Sequence, residues 1–337
     1  MGIGDYSIAT LGSHSALQIL HGAKQEGFKT IVVCAKGREE PYTMFPVADE
    51  IITVDSFKEF PEEELIKKNA IIIPHGSFIA YMGIEATKSM NAKYYGNKAI
   101  LEWESDRNME REWLKEKAGI NMPLMFEKPE DIDRSVIVKF HGAQGGRGYF
   151  LARNTEDFNE KIKAHPGKEY AIQEYIIGVP IYIHYFYSPI TKELEILSFD
   201  KRYESNVDSI GRISARDQIA LDSVDPSYVV VGNVPIVIRE SLLPKAIEMG
   251  KAVVEASKTI VGEQGLFGPF CLEGVLTPDQ EFFIFEISAR IVAGTNPFVD
   301  GSPYSYLKYD EPMSTGRRIA RDIKQAIEQD RINEVIQ

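Results

Sequence analysis

Cysteine is nearly absent from the 337 residues: Cys34 and Cys271 stand alone. Two thiols so far apart cannot staple a chain of this length, which excludes the disulfide-dense secreted scaffolds and favours a reducing compartment. Long apolar runs are missing too. The stretch 71–73 is broken at once by Pro74 and His75, far short of the roughly 20 residues that span a bilayer. Positive charge is not in excess either, since 38 Lys and Arg face 50 Asp and Glu for a formal net charge of −12. Such a surface repels nucleic-acid backbones and anionic membranes, so neither is an expected partner and any phosphate must be held locally. The first residues show no basic segment followed by an apolar one, and Tyr6 stands where a myristoylation signal needs Ser or Thr. A cytoplasmic location is therefore expected. Also missing are a Gly-x-Ser-x-Gly elbow, a His-Glu-x-x-His helix and a cysteine pair at metal-ligand spacing.

What is present is 44% hydrophobic residues, enough to fill two or three cores at this length. Short apolar segments at 8–11, 30–34, 51–54 and 70–73 alternate with helical or turn stretches. This βα repetition suits a parallel sheet covered on both faces, with ligands at the carboxyl ends of its strands, where His14 and Ser77 fall. From Asn97 the pattern is helical: Met109, Trp113 and Leu114 share a face, Ser105 or Asp106 suits a cap, and Gly119 a stop. A small αβ unit follows, with strands at 136–140, 149–152 and 170–174 and a helix at 155–164. Strands at 181–187, 193–199, 270–276 and 282–287, with helices at 242–261 and 315–329, complete an α+β unit. The expected fold class is thus α/β and α+β in three domains, 1–96, 97–177 and 178–337.

Four groups of residues carry chemistry. The loop 141–148 follows Lys139 and places Gly145, Gly146 and Gly148 around Arg147. Glycines leave the backbone N–H groups free to wrap a phosphate, and the two cations add charge, although a flexible hairpin is the competing reading. Glu273 and Glu286 lie on neighbouring expected strands, where two carboxylates can share a face and hold Mg²⁺ together with substrate phosphates. The competing reading pairs Glu286 with Arg290, four residues on. His14 opens the first helix and Ser77 lies in a nearby turn, a setting that attracts a second anion. Arg202, Glu204 and Asn233 decide nothing by their charges alone.

Taken in order, Lys98, the stretch 117–123, Lys139 with its loop, Gln173-Glu174-Tyr175-Ile176 and Glu286-Ile287-Ser288-Ala289-Arg290 resemble the ATP-grasp enzymes. The stretches 9–14, 74–80, 200–206 and 268–272 sharpen this to the archaeal formate-dependent 5-formaminoimidazole-4-carboxamide ribonucleotide (FAICAR) synthetase family of purine biosynthesis. The resemblance covers essentially the whole chain. It implies a three-domain ATP-grasp fold with an N-terminal doubly wound parallel-sheet domain, and ATP held between a central lid and the C-terminal domain. Lys98 and Lys139 would contact ATP phosphates together with Gly145, Gly146 and Arg147, residues Gln173, Glu174, Tyr175 and Ile176 would hold adenine, and Glu273 with Glu286 would hold Mg²⁺, with Mn²⁺ as an alternative. His14, Ser77, Arg202 and Asn233 would contact 5-aminoimidazole-4-carboxamide ribonucleotide (AICAR), and Lys139 and Arg290 would stabilise the reacting charge. Two positions depart from the superfamily pattern. Gly178 is followed by Val179-Pro180 where many relatives carry a ribose-binding carboxylate, which leaves that role to Glu204, and Ser288 stands where an Asn ligand is frequent. The implied reaction is formylation of AICAR by formate and ATP through formyl phosphate, in a homo-oligomer. Its rivals are a carboxylate-amine ligase with another acceptor and a non-catalytic nucleotide-binding paralogue, against which the presence of Lys139, Glu273 and Glu286 argues. Replacing His14 by Ala should weaken AICAR binding far more than ATP binding in calorimetry, and equal losses would make His14 a residue of the fold.

Overall fold

A computed structural model describes residues 2–140, 148–204, 210–219 and 229–337. Three sheets organise them. β1 (Ser7–Leu11), β2 (Lys29–Ala35), β3 (Glu50–Val54), β4 (Ala70–Ile72) and β5 (Lys93–Tyr94) form an all-parallel sheet in the order β3-β2-β1-β4-β5. Every residue of β1 is buried, as expected of a central strand covered on both faces. β6 (Met125–Phe126), β7 (Val136–Phe140), β8 (Tyr149–Ala152) and β9 (Tyr170–Glu174) build a small antiparallel sheet in the order β6-β9-β7-β8 over Val136, Val138, Phe158 and Ile172. β10 (Val179–Tyr187), β11 (Leu194–Glu204), β12 (Val230–Ile236), β13 (Gly268–Leu276) and β14 (Phe282–Ser288) form the third sheet, antiparallel throughout, in the order β12-β11-β10-β13-β14. No described helix is long and apolar enough to cross a membrane.

The cores cross these sheets. The expected long helix after Asn97 is broken in three: Ile100–Ser105, then Arg107–Arg111, then a π-helical turn Glu112–Lys117. The break falls at Asp106, whose carboxylate accepts from the N–H groups of Asn108 and Met109 at 2.9 Å each and so starts a new helix. Trp113, Leu114, Ile120 and Met122 then pack among Ile183, Tyr185, Val253 and Leu272 of the third sheet's core. Trp113 is fixed there by its indole N–H, which donates to Val253 O at 3.1 Å.

At the other end of the chain, the helix Thr315–Glu328 buries Ile319, Ala320 and Ile323 against Ile8, Ile19, Ala23 and Ile71 of the parallel-sheet unit. It crosses the helix Ala16–Gln25 at backbone distance. A Cβ on Gly22 would lie 2.1 Å from the Arg317 nitrogen, and one on Gly316 would lie 2.3 Å from the Gln18 carbonyl oxygen. Gln18 adds a polar clamp: its Oε1 accepts from Gly316 N at 3.1 Å, and its Nε2 donates to Thr295 Oγ1 at 3.0 Å and Asn296 Oδ1 at 3.2 Å. Gly22→Ala should lower unfolding stability by about 1–3 kcal/mol, because a well-packed contact has no room for the added methyl. Gly4→Ala, where a Cβ meets nothing within 4 Å, is the control. Equal denaturation midpoints for the two variants would show that the crossing is looser than drawn.

Candidate active site

The hairpin β13–β14 builds the acidic floor of the site. Its turn sets Leu276 opposite Phe282, and that register, continued without interruption, would set Glu286 opposite Leu272, on the face away from Glu273. A β-bulge intervenes: Gly274 pairs with Ile284, but Glu273 pairs with Glu286, so Phe285 is the extra residue that turns both carboxylates to one face. Arg202 Nη2 donates to Glu273 Oε2 at 2.7 Å, and Ser288 Oγ donates to its Oε1 at 3.1 Å. Burial opposes the Arg202 charge, yet Glu273 and the Tyr182 ring 4.1 Å beneath hold its guanidinium above the ordinary arginine range. Glu286 retains an exposed face in the open groove, while the surrounding walls exclude much of the water that would solvate its charge. That burial and then Glu273 push its carboxyl up to about 7. Two hard-oxygen donors in forced proximity fit a divalent cation such as Mg²⁺, which would relieve their repulsion.

Arg290 does not pair with Glu286. Its Nη2 meets Glu104 Oε1 at 3.0 Å, while Glu104 Oε2 and Arg290 Nε are buried with no partner among the described residues. The guanidinium also reaches the parallel sheet, since its Nη1 would lie 3.4 Å from a Cβ on Gly76 and His14 Nε2 would lie 2.9 Å from the same atom. His14 adopts a left-handed backbone conformation (φ 55°), its Nδ1 is 2.9 Å from Ser15 Oγ, and its ring stacks on His75 at 5.3 Å. His14 keeps an exposed edge, but the walls around it limit its solvation, and that, then His75 and Arg290, lower its pKa to about 3, so it is a neutral imidazole at physiological pH. Ser77 Oγ accepts from Ser13 Oγ at 3.3 Å beside it. A lone β-bridge between His75 and Ile291 ties this corner to the residue after Arg290.

Between the small sheet and the third sheet lies a cleft of about 900 Å³, large enough for a nucleotide. Lys139, Gln173, Phe285 and Glu286 line it. Lys139 Nζ sits 5.8 Å from the Phe285 ring centroid, and burial lowers its pKa, partly offset by Glu286. Glu174 is anchored instead, its Oε1 3.0 Å from Arg134 Nη1 and its Oε2 accepting from Leu124 N at 3.0 Å. Tyr175 follows with its N–H donated to Ser135 O at 2.9 Å, and Ile176 continues from there, both beyond the lining of the cleft. Glu204 ends β11 two residues past Arg202. Gly145, Gly146 and Arg147 lie outside the described residues.

Lys98 stands apart from the cleft. Its Nζ donates to Met90 O at 2.6 Å and lies over the Tyr94 ring, on the parallel-sheet side and not in the cleft. The reason is the helix break at Asp106, which carries the chain round so that Arg107, not Lys98, enters the lining. Arg107 was legible in one respect: a cation in the first turn opposes the helix dipole, a local cost that an anionic ligand would offset. Glu110 is the other residue missed. It lines the cleft, its Oε1 accepts from Ile287 N at 2.7 Å, and burial with the Glu286 charge pushes its pKa up to about 9.

This architecture is the ATP-grasp fold. An ADP complex of N5-carboxyaminoimidazole ribonucleotide synthetase superposes with TM-score 0.68 at 17% identity, over 96% of this chain and 77% of that one. The crystal structure of an IMP biosynthesis protein PurP from Thermococcus kodakaraensis is nearer, with TM-score 0.76 and 33% identity over 98% of this chain and all of that one. Two family descriptions match, "Domain of unknown function (DUF1297)" over residues 153–337 and "Protein of unknown function (DUF1246)" over 8–126. Relatives named 5-formaminoimidazole-4-carboxamide-1-(beta)-D-ribofuranosyl 5'-monophosphate synthetase are 56% identical in Pyrococcus abyssi, over 98% of both chains, and 58% identical in Pyrococcus horikoshii, over 98% of this chain and 99% of that one. The chain belongs to that synthetase family.

A carboxyl with its pKa near 7 is mostly neutral below that pH and ionised above it. Apparent Mg²⁺ affinity in nucleotide turnover should therefore rise by about tenfold between pH 6 and pH 8, as the competing proton leaves Glu286. Glu286→Gln should abolish both the affinity and its pH dependence. A flat profile in the unaltered protein would remove Glu286 from the metal site.

Proposed function

We propose that this protein joins formate to the 5-amino group of AICAR at the expense of ATP, giving FAICAR, ADP and phosphate in the purine pathway to IMP. One observation carries the reading: Arg202 and Arg290 span the gap between the Glu273–Glu286 pair and the corner formed by His14 and Gly76. A phosphoryl donor in the cleft and a small nucleotide over the parallel sheet would thus meet at two guanidinium groups. The family membership supports the same substrates.

Formate is a poor acyl donor because hydroxide is a poor leaving group. We infer that its carboxylate attacks the γ-phosphoryl group of ATP, forming formyl phosphate and releasing ADP. The aryl amine then attacks the formyl carbon, the C–N bond forms, the formyl C–O bond of the C–O–P bridge breaks, and phosphate departs with the former formate oxygen and takes up the proton the amine loses. Positioning and charge compensation suffice for both steps, which agrees with a sequence that carries no Gly-x-Ser-x-Gly elbow. Lys139 and Arg107 hold the phosphate oxygens of ATP from the two sides of the cleft, and Gln173 faces the nucleotide from β9. Glu273 and Glu286 hold Mg²⁺, or Mn²⁺ in its place, which when bound offsets phosphate charge. Arg290 lies between the reacting phosphate and the acceptor, where it compensates developing negative charge. Neutral His14, with Ser77, Arg202 and Asn233, orients AICAR by hydrogen bonds.

ADP release should require formate and AICAR together and should proceed without any folate. With oxygen-labelled formate, label should appear in the released phosphate. Unlabelled phosphate accompanying FAICAR would eliminate the acyl-phosphate route, and no FAICAR at all would eliminate the assignment.

A further inference from the structure

Arg202 and Asn233 face each other across β11 and β12, and Asp200, two residues before Arg202, lies on the same face of the sheet. Asp200 is fully buried, yet it belongs to none of the groups so far assigned to the reaction. One of its oxygens, Oδ1, is 2.7 Å from His184 Nε2, and the other, Oδ2, accepts from Asn233 Nδ2 at 2.8 Å. His184 is equally buried, and its Nδ1 has no partner among the described residues. An unpaired lone pair is cheaper to bury than an unpaired N–H, so the proton belongs on Nε2, where it is donated to Asp200. The nearby Arg202 charge compensates the carboxylate. The turn over the pair is closed, because a Cβ on Gly294 would lie 2.3 Å from Asp200 Oδ1 and 2.8 Å from His184 Cε1.

An ionised carboxylate only accepts hydrogen bonds, so it dictates which end of the Asn233 amide turns toward it. Flipping the amide would set Oδ1 against Asp200 Oδ2, two acceptors at hydrogen-bond distance. We propose that Asp200, braced by His184, is a positioning residue that fixes Asn233 with its Oδ1 toward the groove, making it an acceptor that selects an N–H donor on the heterocycle of the acceptor nucleotide. This rests on the reading that AICAR occupies the groove beside Asn233. AICAR offers two such donors, the 5-amine and the carboxamide. A site built around one acceptor discriminates strongly against a ligand lacking the matching donor, because a buried polar group would be left unpaired.

Asp200→Asn keeps the shape but lets the amide pair in either orientation. The Michaelis constant for AICAR should rise about 10- to 100-fold while that for ATP stays within about twofold, a split that general loosening of the fold would not give. Calorimetry identifies the donor. The unaltered protein should bind AICAR more tightly than one of two analogues, imidazole-4-carboxamide ribonucleotide or 5-aminoimidazole ribonucleotide, and Asp200→Asn should erase that preference by weakening AICAR alone of the pair. His184→Gln, which retains a donor near the Nε2 position, should stay close to normal, and His184→Leu should reproduce Asp200→Asn. Equal losses for AICAR, both analogues and ATP, or equal damage from Gln and Leu at position 184, would overturn the proposal. Because binding is read without turnover, failure to form FAICAR leaves this test standing, whereas failure of the unaltered protein to bind AICAR overturns the functional reading itself.

Discussion

Everything proposed for this protein depends on two helices touching at glycine. The candidate site is shared between a parallel sheet that supplies His14 and Ser77 and an antiparallel sheet that supplies Arg202, Asn233, Glu273 and Glu286. Those sheets hold their relative position because Ala16–Gln25 and Thr315–Glu328 approach until backbone meets backbone at Gly22 and Gly316. The contact is continued toward the site by Gln18, then by Asn296, whose Nδ2 donates to His14 O at 3.1 Å. A small shift at the crossing would be transmitted through these short bonds to His14.

The charge balance explains how an acidic chain can bind a polyanion. Its negative surplus does not spare the cleft, where Glu104, Glu110 and Glu286 gather. Burial neutralises Glu110 by protonation, Arg290 pairs with Glu104, and Arg202 pairs with Glu273. Lys139 and Arg107 then remain as cations lining the cleft, and the carboxylate charge left over is of the kind that suits a divalent cation. Elsewhere a similar concentration of charge has no opening to solvent. Arg318, buried among Glu195, Asp322 and the Phe186 ring, serves to tie the last helix to the third sheet.

Much of this was legible in the residues, for identifiable reasons. The parallel strands announced themselves because a strand covered on both faces is buried along its whole length and so mostly apolar, as β1 and β4 are. The Glu273–Glu286 hairpin was visible from its Thr277-Pro278-Asp279 turn, but strict alternation would have separated the two carboxylates, and only the bulge at Phe285 unites them. That Arg107 lines the cleft and Lys98 does not depends on where a helix breaks and on Trp113 docking 140 residues away at Val253, a non-local contact that periodicity does not report. The Asp200–His184–Asn233 chain was equally hidden, since it needs the register of three strands before its members meet.

The small sheet enters and leaves the rest of the molecule at one point. Leu124 and Glu174 bond to each other in both senses, Glu174 N to Leu124 O at 2.8 Å and Leu124 N to Glu174 Oε2 at 3.0 Å. The residues before that point are already built into the third sheet's core, which the residues after it complete. Topologically, the segment between them is an insertion into a continuous body, attached by a two-strand stalk. The two large cores of the body and the corner at His14 and Asn233 take no residue from that segment, so the stalk alone sets how the roof of the cleft is aimed over Glu286, a floor residue built without it.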